Sequence, residues 1–310
     1  MAEQKYRLVT RSDFDGLVCA VLLNELEMID DIRFVHPKDM QDGKIEVTER
    51  DITTNLPYVK EAHLAFDHHL SETIRNTGDK KNHIIDPDAP SAARVVYDHF
   101  GGEKAFPHVH KDMMEAVDKA DAAQFSLDEI LEPKGWVLLN YLMDSRTGLG
   151  RFREFKVSNY ALMMDLIKYC KTMSIDEILE LPDLKERLHL YYDHAEKAKE
   201  QIHRCSTVHN NLVVLDLRNE ETIWATNRFM IYALYPQVNI SIHMIWGLHK
   251  QNTVFATGKS IVNRSSKTNI GELMLQYGGG GHHAAGTCQI ENDKSDAVLQ
   301  ELIKKINADG

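Results

Sequence analysis

The sequence predicts an α/β protein of two domains, the first built on a mostly parallel sheet flanked by helices and the second a smaller α/β unit. Three observations lead to this class. The first 125 residues alternate short apolar segments with helical patterns, as chains with parallel sheets do. Residues from about 112 to 204 are mainly helical in pattern. After residue 210, strand-like segments return.

Five segments in the first part of the chain have the composition of strands, and two have the spacing of helices. The predicted strands are 6–10, 32–35, 44–48, 62–66 and 83–85, and the predicted helices are 17–28 and 91–100. A polar helix at 194–204 ends the helical middle of the chain. We therefore place the first domain at 1–195, a linker at 196–209 and the second domain at 210–310.

Four further segments are predicted to be strands of the second domain. They are 211–217, 238–246, 253–260 and 286–290. Helices are predicted at about 226–234 and 268–277, and Val298, Leu302 and Ile306 share one face of a final amphipathic helix.

Acidic residues and histidines follow three predicted strands of the first domain at the point where each strand stops. In chain order they are Asp13 and Asp15, then Asp51, then Asp67-His68-His69. Ligands bind outside the carboxyl ends of parallel strands, so we expect these side chains to share one edge of the sheet. Asp118 and Asp121, three residues apart in a helical segment, present both carboxylates on one face.

Four or five carboxylates in one cleft repel each other strongly unless cations accompany them. A set of carboxylates with one or two imidazoles suits Mn²⁺ or a similar metal. Two such ions about 3.5–4 Å apart activate water and stabilise both oxygens of an in-line phosphoryl displacement. The pattern therefore predicts a two-metal hydrolytic site.

Each motif taken alone has a plainer interpretation. Asp13 could simply cap the helix that follows, and Asp118 with Asp121 could form a solvated helix face. The Asp67-His68-His69 run directly after an apolar strand is harder to explain in this way, because buried charges need partners. The joint pattern favours a catalytic site over these structural roles.

A glycine-rich loop occupies residues 278–286, with four consecutive glycines followed by two histidines. Glycines let the backbone approach a ligand closely, and exposed amides in such a loop bind anions. Upstream, Arg264 and Ser265 offer a guanidinium and a hydroxyl suited to a phosphate. The alternative is a flexible linker, but the strand predicted at 286–290 begins directly after the histidines.

The formal net charge of −11 fits a small ligand better than long nucleic acid, which usually needs a basic surface. No run of about 18 apolar residues and no leader pattern is evident, so we expect a cytoplasmic protein without membrane association. The four cysteines are far apart and form no CxxC pair, which indicates reduced thiols and not a disulfide or zinc framework. The oligomeric state stays open, with a homodimer as one option.

Together these motifs resemble the DHH/DHHA1 phosphoesterase family, and the resemblance covers nearly the whole chain. Asp13 to Gly16 is similar to the first motif of that family, Asp51 to the second, Asp67-His68-His69 to the naming motif, and Asp121 to Phe125 to the fourth. Gly278 to Gly286 is similar to the GGGH signature of the DHHA1 domain. The resemblance implies an N-terminal DHH domain and a C-terminal DHHA1 domain with a catalytic cleft between them.

The same resemblance implies roles for individual residues. Two Mn²⁺ ions, or Mg²⁺ or Co²⁺, would be held by Asp13, Asp15, Asp51, His68 and Asp121. Asp51 would bridge the ions, Asp67 would orient His68, and His69 would face the scissile phosphate, which makes Asp51, Asp67 and His69 the catalytic set. The far end of the substrate would be held by Arg264, Ser265, Gly279, Gly280, Gly281, His282 and His283.

Two departures from the family pattern affect the metal site. Val9 and Arg11 occupy positions at which family members carry a metal-binding histidine. Asp118 could also replace Asp121 as the ligand. We therefore expect a changed ligand set for one of the two ions.

By resemblance, the expected activity is Mn²⁺-dependent hydrolysis of short linear dinucleotides such as pGpG, or nanoRNA, to mononucleotides. The alternatives of the same class are an exopolyphosphatase and a short-oligonucleotide exonuclease. An alternative of another class is a nucleotide-binding regulatory protein with a degenerate metal site, which the changes at Val9 and Arg11 would favour.

Overall fold

The computed structural model describes residues 4–69, 72, 73, 78, 80–152 and 154–310. Contacts between residues divide the chain into two compact units. Unit 1 comprises Met1–Gln124, Lys134–Ser145 and Leu149–Leu188, and unit 2 comprises Phe125–Pro133, Arg146–Gly148 and His189–Gly310. Each unit contains one sheet with helices, which confirms the predicted α/β class.

The sheet of unit 1 has five strands, all parallel. They are β1 (Tyr6–Arg11), β2 (Ile29–Val35), β3 (Asp51–Thr54), β4 (Leu64–Asp67) and β5 (His83–Ile85). The spatial order is β2-β1-β3-β4-β5, so β1, β3 and β4 are neighbours at the centre. Their carboxyl ends therefore lie side by side at one edge.

The helices of unit 1 lie in the connections between strands and in the segment after β5. They are α1 (Phe14–Glu25), α2 (Pro37–Gln41), α3 (Ala92–His99), α4 (Lys111–Asp121), α6 (Gly135–Met143), α7 (Asn159–Thr172) and α8 (Ile175–Leu179), with the short α5 (Leu127–Leu131) assigned to unit 2. The longest helix, α9 (Pro182–Cys205), begins in unit 1 and ends in unit 2.

One predicted strand is wrong. Residues 44–48 form no strand, and β3 instead begins at Asp51. Ile45 and Val47 pack with Val9, Met40 and other apolar side chains against the sheet. Their alternation reflects this packing in a loop, whereas the strand is the fully buried segment that follows.

The sheet of unit 2 has six strands in the order β10-β11-β9-β8-β7-β6. They are β6 (Ser206–His209), β7 (Leu212–Asp216), β8 (Ile240–Trp246), β9 (Thr253–Lys259), β10 (Gly280–His282) and β11 (Ala285–Ile290). Only β7 and β8 pair in parallel. The helices α10 (Met230–Leu234), α11 (Ile270–Leu275) and α12 (Ser295–Asp309) complete the unit.

The segment 196–209, predicted as a linker, is regular structure. It consists of the end of α9 and the whole of β6. The sequence did not predict the strand β6, because Ser206–His209 is short and half exposed and has no apolar alternation.

Within the described ranges, no helix combines the length and the apolarity needed to cross a membrane. The four cysteines are free thiols, and three of them are buried.

Candidate active site

The turn between β1 and α1 is shaped by two residues of the first motif. Asp13 is the N-cap of α1 and accepts a hydrogen bond from the Gly16 amide at 3.0 Å. A Cβ atom on Gly16 would lie 1.9 Å from the carbonyl oxygen of Arg11, so only glycine fits at this position. The structure therefore confirms helix capping, one of the two interpretations of Asp13. The same turn directs Asp15 into the protein.

Asp15 is a buried carboxylate, with only 2% of the residue exposed. It accepts hydrogen bonds from the amides of Ala92 at 3.1 Å and Ala93 at 2.8 Å, the first residues of α3. A helix N-terminus is a favourable place for an anion. Nevertheless, burial and the nearby charges of Asp121 and Asp13 hold the pKa of Asp15 well above its usual range.

His68 points its imidazole at the same cluster. Its Nδ1 lies 3.2 Å from the Ala89 carbonyl, to which it can donate. Its Nε2 lies 2.9 Å from a carboxylate oxygen of Asp121, but without the direction of a hydrogen bond. Burial alone would lower the pKa of His68, but the adjacent Asp121 carboxylate and the charges of Asp15 and Asp67 raise it to about 9.

Asp15, His68 and Asp121 form the one group among the described residues that could hold a metal ion in this way. Each offers a ligand atom, and the three atoms lie within 4.8 Å of one another. A histidine that donates one ring N–H to a carbonyl and turns the other nitrogen towards carboxylates has the arrangement usual for metal ligands. The residues present therefore fit a divalent cation.

Asp118 has a structural role. Its carboxylate accepts from the Ser91 hydroxyl at 2.7 Å and from Arg94 Nε at 3.0 Å. Asp121, and not Asp118, therefore belongs to the acidic cluster.

The expectation that Asp67 orients His68 needs correction. The structure pairs Asp67 with His69, whose Nδ1 lies 2.7 Å from Asp67 Oδ1. The second oxygen of Asp67 is buried and has no hydrogen-bond partner among the described residues. Successive residues of an extended segment point in opposite directions, which explains why Asp67 contacts the residue two positions away.

Asp51 lies at the wrong end of its strand for the expected bridging role. It is the first residue of β3, and its carboxylate binds Arg7 Nε at 2.6 Å and the Thr48 amide at 2.7 Å. Burial would raise the pKa of Asp51, but the Arg7 and Thr48 hydrogen bonds hold it below its usual value. Because the strands are parallel, the acidic cluster lies at the opposite edge of the sheet, so Asp51 is a structural residue.

Asn55 occupies the position that Asp51 was expected to fill. It follows the carboxyl end of β3, and its amide donates to the Phe66 carbonyl at the end of β4. Only 2% of Asn55 is exposed, and neither atom of its side-chain amide has a hydrogen-bond partner in the described structure. Its backbone φ of 55° is one that asparagine tolerates better than most residues. The β-branched segment before it was the signal that could have located this strand end.

The two departures from the family pattern have different surroundings. Val9 is fully buried in the apolar cluster on one face of the sheet. Arg11, half buried at the end of β1, places its Nε 2.9 Å from Asp13 Oδ2. The arginine thus brings a fixed positive charge to the acidic edge.

In unit 2, the glycine-rich segment forms the hairpin of β10 and β11. A Cβ atom on Gly279 would lie 2.0 Å from the Thr287 carbonyl oxygen, and one on Gly281 would lie 2.3 Å from that of Ala285. These two glycines are therefore required by packing within the hairpin. Gly280 faces open space, with nothing within 4 Å of a Cβ atom there.

The polar residues around this hairpin are accessible. His282 and His283 are exposed, as are Arg264 and Ser265. Lys259, at the end of β9, was not anticipated from the sequence. Its Nζ lies 3.4 Å from His283 Nδ1 and 3.1 Å from the Ser266 carbonyl oxygen. Two basic groups side by side at an exposed strand end suit an anionic ligand.

Comparison with known proteins places these observations in a family. No family model matches the sequence. A pGpG-specific phosphodiesterase, PggH from Vibrio cholerae, is 66% identical, with a TM-score of 0.88 over 99% of this chain and 100% of that one. RecJ from Thermus thermophilus, solved with Mn²⁺, has the same fold at 12% identity and a TM-score of 0.52, over 99% of this chain and 52% of RecJ.

A curated relative matches a shorter part of the chain. The A-adding tRNA nucleotidyltransferase of Aquifex aeolicus is 33% identical over 76 residues. The match covers 22% of this chain and only 9% of that enzyme. The full-length match to the phosphodiesterase is the informative one, and it shows that this chain belongs to the DHH/DHHA1 family of phosphoesterases, which are hydrolases.

Proposed function

We propose that this enzyme hydrolyses short linear dinucleotides, pGpG above all, to mononucleotides with the help of divalent cations. The observation that carries the proposal is 66% identity over the whole chain to a pGpG-specific phosphodiesterase. At that identity over 99% of this chain, the same class of substrate is the simplest expectation.

The cation site is proposed at Asp15, His68 and Asp121, supported by their close approach and by the carbonyl contact of His68. For a second ion, the proposed ligands are the buried unpartnered oxygen of Asp67 and the side-chain amide oxygen of Asn55. Mn²⁺ suits this mixture of oxygen and imidazole ligands. When bound, such ions supply charge stabilisation at the phosphoryl oxygens and activation of the attacking water.

His69 is proposed to act on the substrate. Its Nδ1 is fixed by Asp67 at 2.7 Å, so its Nε2 is the nitrogen that can face the ligand. In the protonated form, Nε2–H can donate to a phosphate oxygen or to the departing ribose oxygen. Asp67 then acts as a positioning residue that fixes the tautomer and stabilises the imidazolium.

The residues of unit 2 are proposed to hold the end of the substrate remote from the scissile bond. Arg264 and Ser265 offer a guanidinium and a hydroxyl, and His283 with Lys259 offers two further basic groups. The amides at Gly279, Gly280 and Gly281, with the imidazole of His282, remain the proposed contacts of the hairpin itself.

The direct test is a substrate panel with purified protein and Mn²⁺: pGpG, cyclic di-GMP, a five-mer, a ten-mer and polyphosphate. A linear dinucleotide should have the highest kcat/KM, because the proposed contacts to the terminal group favour one length of substrate. Equal kcat/KM for dinucleotide and ten-mer would instead identify a general exonuclease, and preferred cleavage of polyphosphate an exopolyphosphatase. In the same assay, Arg264→Ala should raise KM more than it lowers kcat.

A further inference from the structure

The guanidinium of Arg11, the last residue of β1, is only partly used by the protein. Its Nε lies 2.9 Å from Asp13 Oδ2 in an ionic contact. Neither Nη1 nor Nη2 forms a hydrogen bond within the described ranges of the chain. The side chain is 38% exposed. Arg11 is therefore held on one side by a carboxylate and keeps donors for a ligand.

Arg11 also lines a cavity of about 440 Å³ in unit 1. The other lining residues are Ser12, residues at the ends of β2 and α6 and in the segments that follow them, and the start of α7. This volume lies within the roughly 300–1,000 Å³ that small-molecule pockets occupy. A small ligand can therefore reach the guanidinium.

The same guanidinium is close to the proposed cation site. Asp13, which Arg11 contacts, caps the helix whose second residue is the buried Asp15. Burial raises the pKa of Asp121, but the contact with His68 and nearby positive charges, that of Arg11 among them, hold it below its usual value. The charge of Arg11 thus acts on the same cluster that would bind a cation.

The chemistry of a guanidinium limits what Arg11 can do at this edge. It stays protonated and has no acceptor atom, so Arg11 can neither bind a cation nor take up a proton. It can donate hydrogen bonds to an anion, and its planar fork matches two oxygens of a phosphate. In phosphoryl transfer the non-bridging oxygens share the negative charge of the transition state, which a fixed positive group stabilises. A phosphodiester at the cation site is the anion that fits.

Resting on the proposed function, we propose that Arg11 is a catalytic residue that binds a non-bridging oxygen of the scissile phosphodiester. Nη1 and Nη2 donate to the phosphate, while Nε stays beside Asp13. Asp13 is then a positioning residue that fixes the guanidinium next to the cations. This role differs from that of Arg264, which is proposed to hold the remote end of the substrate.

The test compares kcat/KM of the wild type, Arg11→Gln and Arg11→Lys in Mn²⁺. The substrates are pGpG and bis(p-nitrophenyl) phosphate, a diester that contains a scissile phosphate but no nucleoside and no terminal phosphate. Arg33→Gln is the matched control, because Arg33 is exposed on β2 and its loss changes the net charge of the protein equally.

We expect Arg11→Gln to lower kcat/KM for both substrates by roughly tenfold to a hundredfold, the loss typical of a hydrogen bond to a charged group. Arg11→Lys keeps the charge but not the fork, so it should recover only part of the activity. The control should match the wild type. Unchanged turnover of both substrates by Arg11→Gln overturns the proposal. A loss confined to pGpG would place Arg11 on another part of the nucleotide and would also overturn it.

Titration with Mn²⁺ in the absence of substrate separates a contact with the phosphate from a structural role. Arg11→Gln removes a positive charge from the acidic edge, so it should bind Mn²⁺ at least as tightly as the wild type. Lower activity with undiminished Mn²⁺ affinity supports the proposal. If Arg11→Gln instead bound Mn²⁺ more weakly, Arg11 would act by organising the cation ligands, and the proposal would be wrong.

Titration of the Mn²⁺-loaded protein with inorganic phosphate distinguishes failure of this proposal from failure of the proposed function. If the wild type does not cleave pGpG, the proposed function fails. Phosphate binding that is about tenfold weaker in Arg11→Gln than in Arg33→Gln would still support the anion contact. Equal phosphate affinity in the two variants would refute it.

Discussion

The substitution Asp15→Asn should stabilise the metal-free protein and abolish most of the stabilisation that a divalent cation gives. Asparagine is nearly isosteric, but the amides of Ala92 and Ala93 bond to different oxygens of Asp15, so its single oxygen can accept from only one of them. It removes a charge that is unfavourable in the folded protein, where burial and the charges of Asp121 and Asp13 raise the pKa of Asp15. The same charge is what a cation would bind, so the two effects must have opposite signs.

The magnitudes follow from the distances. The ligand atoms of Asp15 and Asp121 lie within 4.8 Å, so when both groups are ionised their repulsion at an effective dielectric constant of 20 is about 3.5 kcal/mol. The hydrogen bond from the amide that asparagine cannot satisfy has a charged acceptor in the wild type, and its loss costs about 1.5–3 kcal/mol. The metal-free variant should therefore be about 0.5–2 kcal/mol more stable than the wild type.

With a cation bound, the wild type should be more stable than Asp15→Asn. A ligand at a concentration of about 100 Kd stabilises the folded state by about 2.7 kcal/mol. In a protein of 310 residues that free energy corresponds to a rise in Tm of about 4 °C. The wild type should show this rise with Mn²⁺, and Asp15→Asn should lose most of it.

Thermal unfolding in EDTA and in Mn²⁺ measures both effects without relying on activity. A control variant, Asp165→Asn, has an exposed carboxylate and should respond to Mn²⁺ as the wild type does. If Asp15→Asn shows the full increase in Tm with Mn²⁺, Asp15 is not a cation ligand and the reasoning fails.

Three further predictions separate structural from functional groups. Asp51→Asn should lower the free energy of unfolding by about 1–3 kcal/mol, because it weakens the contact with Arg7. It should leave the Mn²⁺-induced rise in Tm intact, and loss of that rise would show that Asp51 belongs to the cation site. Asn55→Asp adds a buried charge at the end of β3, so it should tighten Mn²⁺ binding in a titration and destabilise the metal-free protein. An unaltered Mn²⁺ affinity would exclude Asn55 from the cation site. The contribution of His68 to the stability of the metal-free protein should be complete below pH 6.5 and fall as the pH rises towards 9, because folding raises the pKa of His68 from 6.5 to about 9. His68→Gln should flatten the dependence of stability on pH over this range in denaturant titrations, and an unchanged slope would contradict the prediction.

The sheet of the first unit was largely predictable because four of its five strands are apolar segments with clear ends. The predicted segments 6–10, 32–35, 62–66 and 83–85 all lie within or overlap observed strands. The motif at Asp67-His68-His69 could be placed at a strand end for the same reason. Local composition determines these positions, and local composition is what a single sequence contains.

The end of β3 could not be predicted in the same way. Residues 44–48 alternate in a strand-like pattern, yet they pack as a loop, and Asp51 was therefore placed at the wrong edge of the sheet. Whether a carboxylate begins or ends a strand depends on the pairing register, which is a long-range property. The pairing of Asp67 with His69 depends on three-dimensional contacts in the same way.

The charges at the acidic edge give an argument for the number of cations. When His68 and His69 are neutral, Asp13, Asp15, Asp67 and Asp121 bring four negative charges, and Arg11 offsets one of them. A single divalent ion would leave the edge with one net negative charge, which repels a phosphodiester. Two divalent ions leave one net positive charge, which the single charge of a phosphodiester neutralises. The arginine therefore need not signal a degenerate site. It reduces the negative charge of the edge to a value at which two cations and one phosphodiester are balanced, and the second cation should bind most tightly when the substrate is present.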